Sequence, residues 1–192
     1  MPKTQFLNLS KEKRQKILLA AKEEFINYSF AEASINRIIK QADIARGSFY
    51  VYFEDKEDIY LTLMDTFLIR PFLQTRDLAP KTKVNVFDYT IQIFTQWSKV
   101  IDSEPKLSHA FFNTSTIEQK QQLFNETLFD CSSIRFDTLR FQAPREQKML
   151  LYTLNTILFS YLQQYSQQTD NFNTLKTQLL KHLLLLKVGC QK

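Results

Sequence analysis

Arg46, Ser48, Tyr50 and Tyr52 place a guanidinium, a hydroxyl and two phenols within one short run, Ala45–Arg46–Gly47–Ser48–Phe49–Tyr50–Val51–Tyr52–Phe53. Groups of this kind donate hydrogen bonds to phosphate oxygens and to base edges. They do not make a nucleophile–base pair or a metal-ligand set. Among them sits Gly47, one of two glycines in 192 residues, where alanine would favour a helix by about 1 kcal/mol. A glycine at that point suits the close approach of another molecule, such as a DNA strand, to the backbone. Phe49 and Phe53 recur four residues apart and form the face turned to a core.

The elements that must position this run lie just before it. Ser34 reads as the N-cap of a helix, its hydroxyl accepting from backbone N–H groups one turn on. Ile35, Ile38, Ile39 and Ala42 then recur at helical spacing. Asp43 tolerates the left-handed conformation of a short turn, and Ile44 fills the angle before a second helix opens around Ala45–Ser48. Two helices joined by a 3–4-residue turn make a helix-turn-helix, whose second helix fits a major groove. The same pattern also describes a helical corner whose polar residues face solvent.

Ala20–Ala21, Phe25, Phe30, Ser34, Ile38, Ala42, Ile44 and the run Arg46–Gly47–Ser48–Phe49–Tyr50–x–Tyr52–Phe53–x–x–Lys56 together resemble the DNA-binding signature of the TetR family. The resemblance covers about residues 10 to 62. It implies an all-α homodimer of about nine helices, with a three-helix helix-turn-helix domain over 1–54 and a linking helix plus effector-binding and dimerisation domain over 55–192. It implies that Arg46 contacts a base or phosphate, that Gly47 permits close approach and that Ser48 bonds a base or phosphate. Tyr50, Tyr52 and Lys56 would hold the DNA backbone, and Ser34 and Arg37 are further phosphate candidates. The family often has glycine where this chain has Ser29 and Asp43, and a hydroxyl residue where it has Ala45. Ala45 removes one cap and one phosphate contact.

Composition agrees with a folded helical protein. Hydrophobic residues make up 44% of the chain, with two glycines and five prolines, and strand-like alternation is scarce. The net charge is +5, and residues 1–53 hold nine Lys/Arg against five Asp/Glu. A basic bias there suits a phosphate backbone. Cys131 and Cys190 lie far apart without a CxxC pattern, which suits a reducing compartment. No apolar run reaches the ~18–20 residues of a membrane span, and the opening residues are basic and polar, unlike a signal peptide. The expectation is a soluble cytoplasmic protein with no cofactor.

Residues 1–9 read as a frayed arm before a helix that begins at Ser10. Glu54–Asp58 opens another helix, which runs to Pro71, and a loop or broken helical passage follows over 71–83. The face Val84, Phe87, Ile91, Phe94, Trp97 and Ile101 predicts a helix ending before Pro105, which opens a short helix through Phe112. A further helix is expected from about Thr116 to Phe141, another from Pro144, a polar loop over 163–171 and a final leucine-rich helix. Under the resemblance, Leu151, Leu154, Leu158, Leu179, Leu183 and Leu186 suit a dimer interface. Phe94, Trp97 and Phe111 would wall an effector site, with His109 as polar anchor and an apolar or aromatic small molecule as ligand. No catalytic or metal motif is present: His109 and His182 have no HExxH spacing, and Cys131 reads as packing. The function expected is a repressor released from a palindromic double-stranded DNA operator by that effector. A DNA-binding dimer without an effector, and a helical carrier or enzyme with an incidental helix-turn-helix, remain as alternatives.

Overall fold

The computed structural model describes residues 2–77, 84–116, 119–120, 134–135 and 143–190. The chain divides into two compact units, Met1–Pro71 with Lys106–Leu123, and Phe72–Pro105 with Phe124–Lys192. It is all-α, with the N-terminal helix-turn-helix expected from the sequence.

In the first unit, Ser10 opens α2 (Lys11–Asn27) by accepting from the Lys13 N–H at 3.3 Å. The buried residues of α2 are Ile17, Leu18, Ala20, Ala21, Glu24 and Phe25, one face at helical spacing with a carboxylate in its midst. α3 (Ile35–Ala42) ends at Asp43, whose φ of 53° is left-handed. The Asp43 N–H donates to the Lys40 carbonyl and the Ile44 N–H to the Ile39 carbonyl, the paired bonds of a Schellman ending. Lys16 of α2 reaches the Asp43 carboxylate at 3.3 Å. α4 (Arg46–Tyr52) follows, and α5 (Lys56–Met64) opens with Asp55 accepting from the Asp58 N–H at 2.8 Å while the Asp58 carboxylate accepts from the Glu54 N–H.

Two expectations are corrected here. The opening residues are docked, not frayed: α1 (Thr4–Leu7) buries Phe6, whose ring lies 4.7 Å from that of Phe53. Pro71 does not end the helix that starts at Lys56. A π-helical turn over Asp65–Ile69 precedes it, and α6 (Arg70–Asp77) carries the helix through it. Proline lacks the N–H of a regular turn, and the altered hydrogen-bond step of the π turn falls just ahead of that gap. α8 (Pro105–Thr114) begins at its proline as expected, and from Lys106 on it belongs to the first unit. There Tyr60 shares a hydrogen bond with Ser115, and burial pushes the Tyr60 phenol up to about 12 against the opposing effect of that bond.

In the second unit, α7 (Val86–Ser103) is capped by Asn85, whose side-chain oxygen accepts from the Phe87 and Asp88 N–H groups. α9 (Pro144–Ser166) and α10 (Phe172–Cys190) follow among the described residues. Trp97 stacks on Phe72 at 4.9 Å and Phe94 on Phe172 at 5.6 Å. Val84–Asn85 pairs in parallel with Ile134–Arg135. A single helix from Thr116 to Phe141 cannot contain that pairing. The rest of that expectation, Cys131 included, lies outside the described residues. The polar loop is shorter than expected, because α9 runs on to Ser166. Among the described residues no helix is long and apolar enough to cross a membrane.

Phe53 has no exposure and supports both α1 and α4. Phe53→Ala should cost about 3–5 kcal/mol of stability, measured by denaturant unfolding of the full chain.

Candidate nucleic-acid interface

α4 spans seven residues, too few to be stable as an isolated helix. It is held by what it buries. Phe49 and Tyr52 lie inward with Phe53 just beyond, and Phe49 packs on Phe53 at 5.5 Å. The opposite face carries Arg46, Gly47, Tyr50 (41% exposed) and Val51 (48%), with Ser48 half-buried beside them. A Cβ built on Gly47 meets nothing within 4 Å. The protein's own packing therefore does not require glycine, and the bare backbone faces outward.

The support of α4 begins at the crossing of α2 and α3. Glu24, 4% exposed, receives the Ser34 N–H at 2.7 Å and the Arg37 guanidinium through Nε at 2.9 Å and Nη2 at 2.6 Å. The same Nη2 donates to the Glu32 carbonyl at 2.8 Å, and the guanidinium lies 4.0 Å from the Tyr28 ring centroid. The hydrogen bond to Glu24 raises the Arg37 pKa further. Glu32 accepts from the Ser29 hydroxyl and N–H, and these bonds hold its carboxyl below the usual range. Lys56 at the start of α5 donates to the carbonyls of Ala31 and Ala33 at 3.2 and 3.1 Å and sits 4.8 Å from the Phe30 ring centroid. Loop 28–34 is thus fastened from three sides.

This geometry separates the residues the sequence grouped as DNA contacts. Arg46, Gly47, Ser48 and Tyr50 share the outer part of α4. Tyr52, expected to hold the DNA backbone, is buried instead, its ring 6.3 Å from that of Phe6. Ser34 stands at the N-cap position, yet its hydroxyl makes no cap bond; its backbone N–H is instead held by Glu24. Arg37 and Lys56 hold loop 28–34. Two exposed residues were missed: Val51, whose methyl groups fit contact with a thymine methyl, and Asn36, which accepts from Arg46 Nη1 at 3.3 Å. Arg46 is left with that one weak tie, and it is free to reorient toward a ligand.

The other expected sites fall in two units. Phe94 and Trp97 are buried in the second, against Phe172 and Phe72. Phe111 is buried against Phe112 in the first, where His109 is exposed and its carbonyl accepts from the Asn113 amide. A groove of about 460 Å³ in the second unit is lined by Ile101, Asp102, Tyr165 and Phe172 among others, and by none of the four. Of the dimer candidates, Leu154, Leu158, Leu179 and Leu183 are buried within their own unit, and Leu151 and Leu186 are half-buried. The apolar side chains left open on α9 and α10 are Met149, Tyr152 (72% exposed), Leu180, Leu184, Leu185 (73%) and Val188. Among the described residues no group of three His, Cys, Asp or Glu side chains could hold a metal ion.

Residues 17–63 match the sequence model of a family described as bacterial regulatory proteins, tetR family. An HTH-type transcriptional regulator of Bacillus subtilis, YdgC, is 29% identical over 117 residues, 58% of this chain and 60% of that protein. The chain thus spans about three fifths of that curated relative's length. The crystal structure of a TetR family transcriptional regulator from Chloroflexus aurantiacus superposes with a TM-score of 0.62 at 21% identity, covering 100% of this chain and 99% of that one. The Bacillus subtilis transcriptional regulator FadR, solved with stearoyl-CoA, gives 0.61 at 19% identity over 88% of this chain and 96% of its own. At these identities the solved structures establish a shared fold.

Gly47→Ala separates folding from binding. It should raise unfolding free energy by up to about 1 kcal/mol while weakening binding to a duplex selected by the wild-type protein from a random pool. Parallel denaturation and mobility-shift titrations read both.

Proposed function

We propose that this chain, a tetR-family protein by its residues 17–63 and by its fold, is a homodimeric repressor that a lipophilic small molecule releases from a palindromic DNA operator. The observation that carries the reading is the outer face of α4. Arg46, Gly47, Ser48, Tyr50 and Val51 are presented outward on a helix whose other face is fully engaged. Bases are read by Arg46 and Val51, the first by hydrogen bonds to a guanine edge and the second by contact with a thymine methyl. Ser48 and Tyr50 take phosphate oxygens and fix the register. Arg37 and Lys56 act through the shape of loop 28–34.

A second copy of the chain supplies the second reading head. Met149, Tyr152, Leu180, Leu184, Leu185 and Val188 expose apolar surface on two helices of one unit, a self-complementary patch suited to a two-fold contact. Two α4 helices would then enter successive major grooves about 34 Å apart.

Effector control follows if the ligand binds a conformer whose heads no longer match the operator, and only to the extent of that preference. The Bacillus subtilis FadR structure with stearoyl-CoA supports a long-chain acyl thioester as the first ligand to test. Within the second unit, the aromatic side chains Phe94 and Trp97 support an apolar ligand.

Two measurements test this reading. In a salt-titrated mobility shift, Arg46→Ala should cost about 1–3 kcal/mol of affinity without lowering the thermal midpoint, and oleoyl-CoA should release the wild-type complex. Absence of any sequence-specific complex would remove the regulator reading, and persistence of the complex with oleoyl-CoA would remove this effector class. In sedimentation, Leu184→Glu with Leu185→Glu should leave a folded monomer, because both side chains are exposed. Leu179→Ala, by contrast, should cost about 2–5 kcal/mol of stability. A double variant that still sediments as a dimer would exclude this face.

A further inference from the structure

The recognition helix is only two turns long, and its C-terminal end leaves carbonyls without helical partners. The Phe49 carbonyl is taken by the Phe53 N–H at 2.8 Å. Two of the others are taken by a residue nearly fifty positions away. The Lys3 ammonium donates to the Tyr50 carbonyl at 2.9 Å, and the Lys3 backbone N–H donates to the Tyr52 carbonyl at 2.9 Å. A cation at a helix C-terminus also complements the negative end of the helix dipole.

The same segment is anchored on its other side. Phe6, 3% exposed, inserts between Tyr52 and Phe53, with ring centroids at 6.3 and 4.7 Å. The Leu7 carbonyl accepts from Arg14 Nη1 of α2 at 2.9 Å. A path of bonds and packing thus runs from α2 through Leu7, Phe6 and Lys3 to the last turn of α4. Neither α3 nor α5 supplies an equivalent hold on the Tyr50 and Tyr52 carbonyls.

We infer that Lys3 and Phe6 are positioning residues for operator binding: they clamp the C-terminal turn of the recognition helix and fix the direction in which Tyr50 and Val51 face the DNA. Lys3 acts through the backbone of α4 and not as a phosphate contact. The inference rests on α4 being the DNA-reading element, and it explains how so short a helix with an uncapped Ala45 at its start stays formed. Removing the ammonium leaves the Tyr50 carbonyl to water and loosens the last turn. Removing the Phe6 ring opens the floor beneath it.

The test compares Lys3→Met, Phe6→Leu and Phe6→Ala in the full chain, by amide hydrogen exchange of the free protein and by affinity across a salt series. The probe is a duplex selected by the wild type from a random pool. Lys3→Met should speed exchange of the Tyr52 and Phe53 amides at least about ten-fold, with α2 and α3 unchanged, and lower affinity about ten-fold. The slope of log affinity against log salt should stay within measurement error of the wild type. Phe6→Ala should do the same or more, and Phe6→Leu should recover most of the loss.

A Lys3→Met slope flatter by about 0.9 with unaltered exchange would make Lys3 a phosphate contact and overturn the clamp. Wild-type exchange in both Lys3→Met and Phe6→Leu, with affinity also unchanged, would overturn it too. Should the wild type select no duplex, the DNA reading fails, and the exchange data on free protein still decide whether the clamp exists.

Discussion

The structure of the reading head depends on one buried carboxylate. Glu24 lies on the apolar face of α2, removed from water, and a charge in that position is tolerable only with donors arranged around it. It gathers them from the next element of the chain: the Ser34 N–H and the Arg37 guanidinium. Those bonds fix where α3 starts, and Arg37 in turn holds the Glu32 carbonyl. The left-handed ending of α3 at Asp43 then sets where α4 begins. The exposure of Arg46, Gly47 and Tyr50 is thus a consequence of packing that begins more than twenty residues earlier.

A second constraint is aromatic. Phe49, Tyr52, Phe53 and Phe6 make the floor of α4, while Tyr60 packs edge-on against the parallel rings of Phe25 and Phe30. Lys56 closes that second group from above through its contact with Phe30 and its bonds to two carbonyls. The basic residues of this region therefore divide by partner. Arg37 and Lys56 are committed to the protein's own backbone and carboxylates, and Arg46 is tied to Asn36 by a long bond of 3.3 Å.

Much of this was legible in the sequence because local rules decide it. The Ser10 cap, the turn at Asp43, the inward Phe49 and Phe53 and the helix start at Pro105 follow from spacing and residue type over a few positions. The docking of Phe6 was not legible, since its partners lie some forty-six positions away. The resemblance implied that Arg37 and Lys56 contact the DNA backbone, and a charge's sequence position does not name the internal partners that both residues hold. Yet Glu24 at a core position of α2 was a usable sign that some cation nearby would turn inward. The leucine-rich helices α9 and α10 were expected to form a dimer interface, but with so many leucines the period alone could not separate the inward stripe at Leu179 and Leu183 from the outward one at Leu184, Leu185 and Val188. Pro71 was read by its usual effect, and the π turn that accommodates it has no simple sequence marker.

On the proposed function, α4 meets DNA through its outer face while the Glu24–Arg37 network stays closed beneath it. Amide exchange of the full chain with and without a selected duplex is the decisive measurement. Exchange should slow over Arg46–Val51, with the Ser34 amide equally protected in both states, because it donates to Glu24 throughout. Protection elsewhere on the chain with α4 unchanged, or a Ser34 amide that opens on binding, would contradict it.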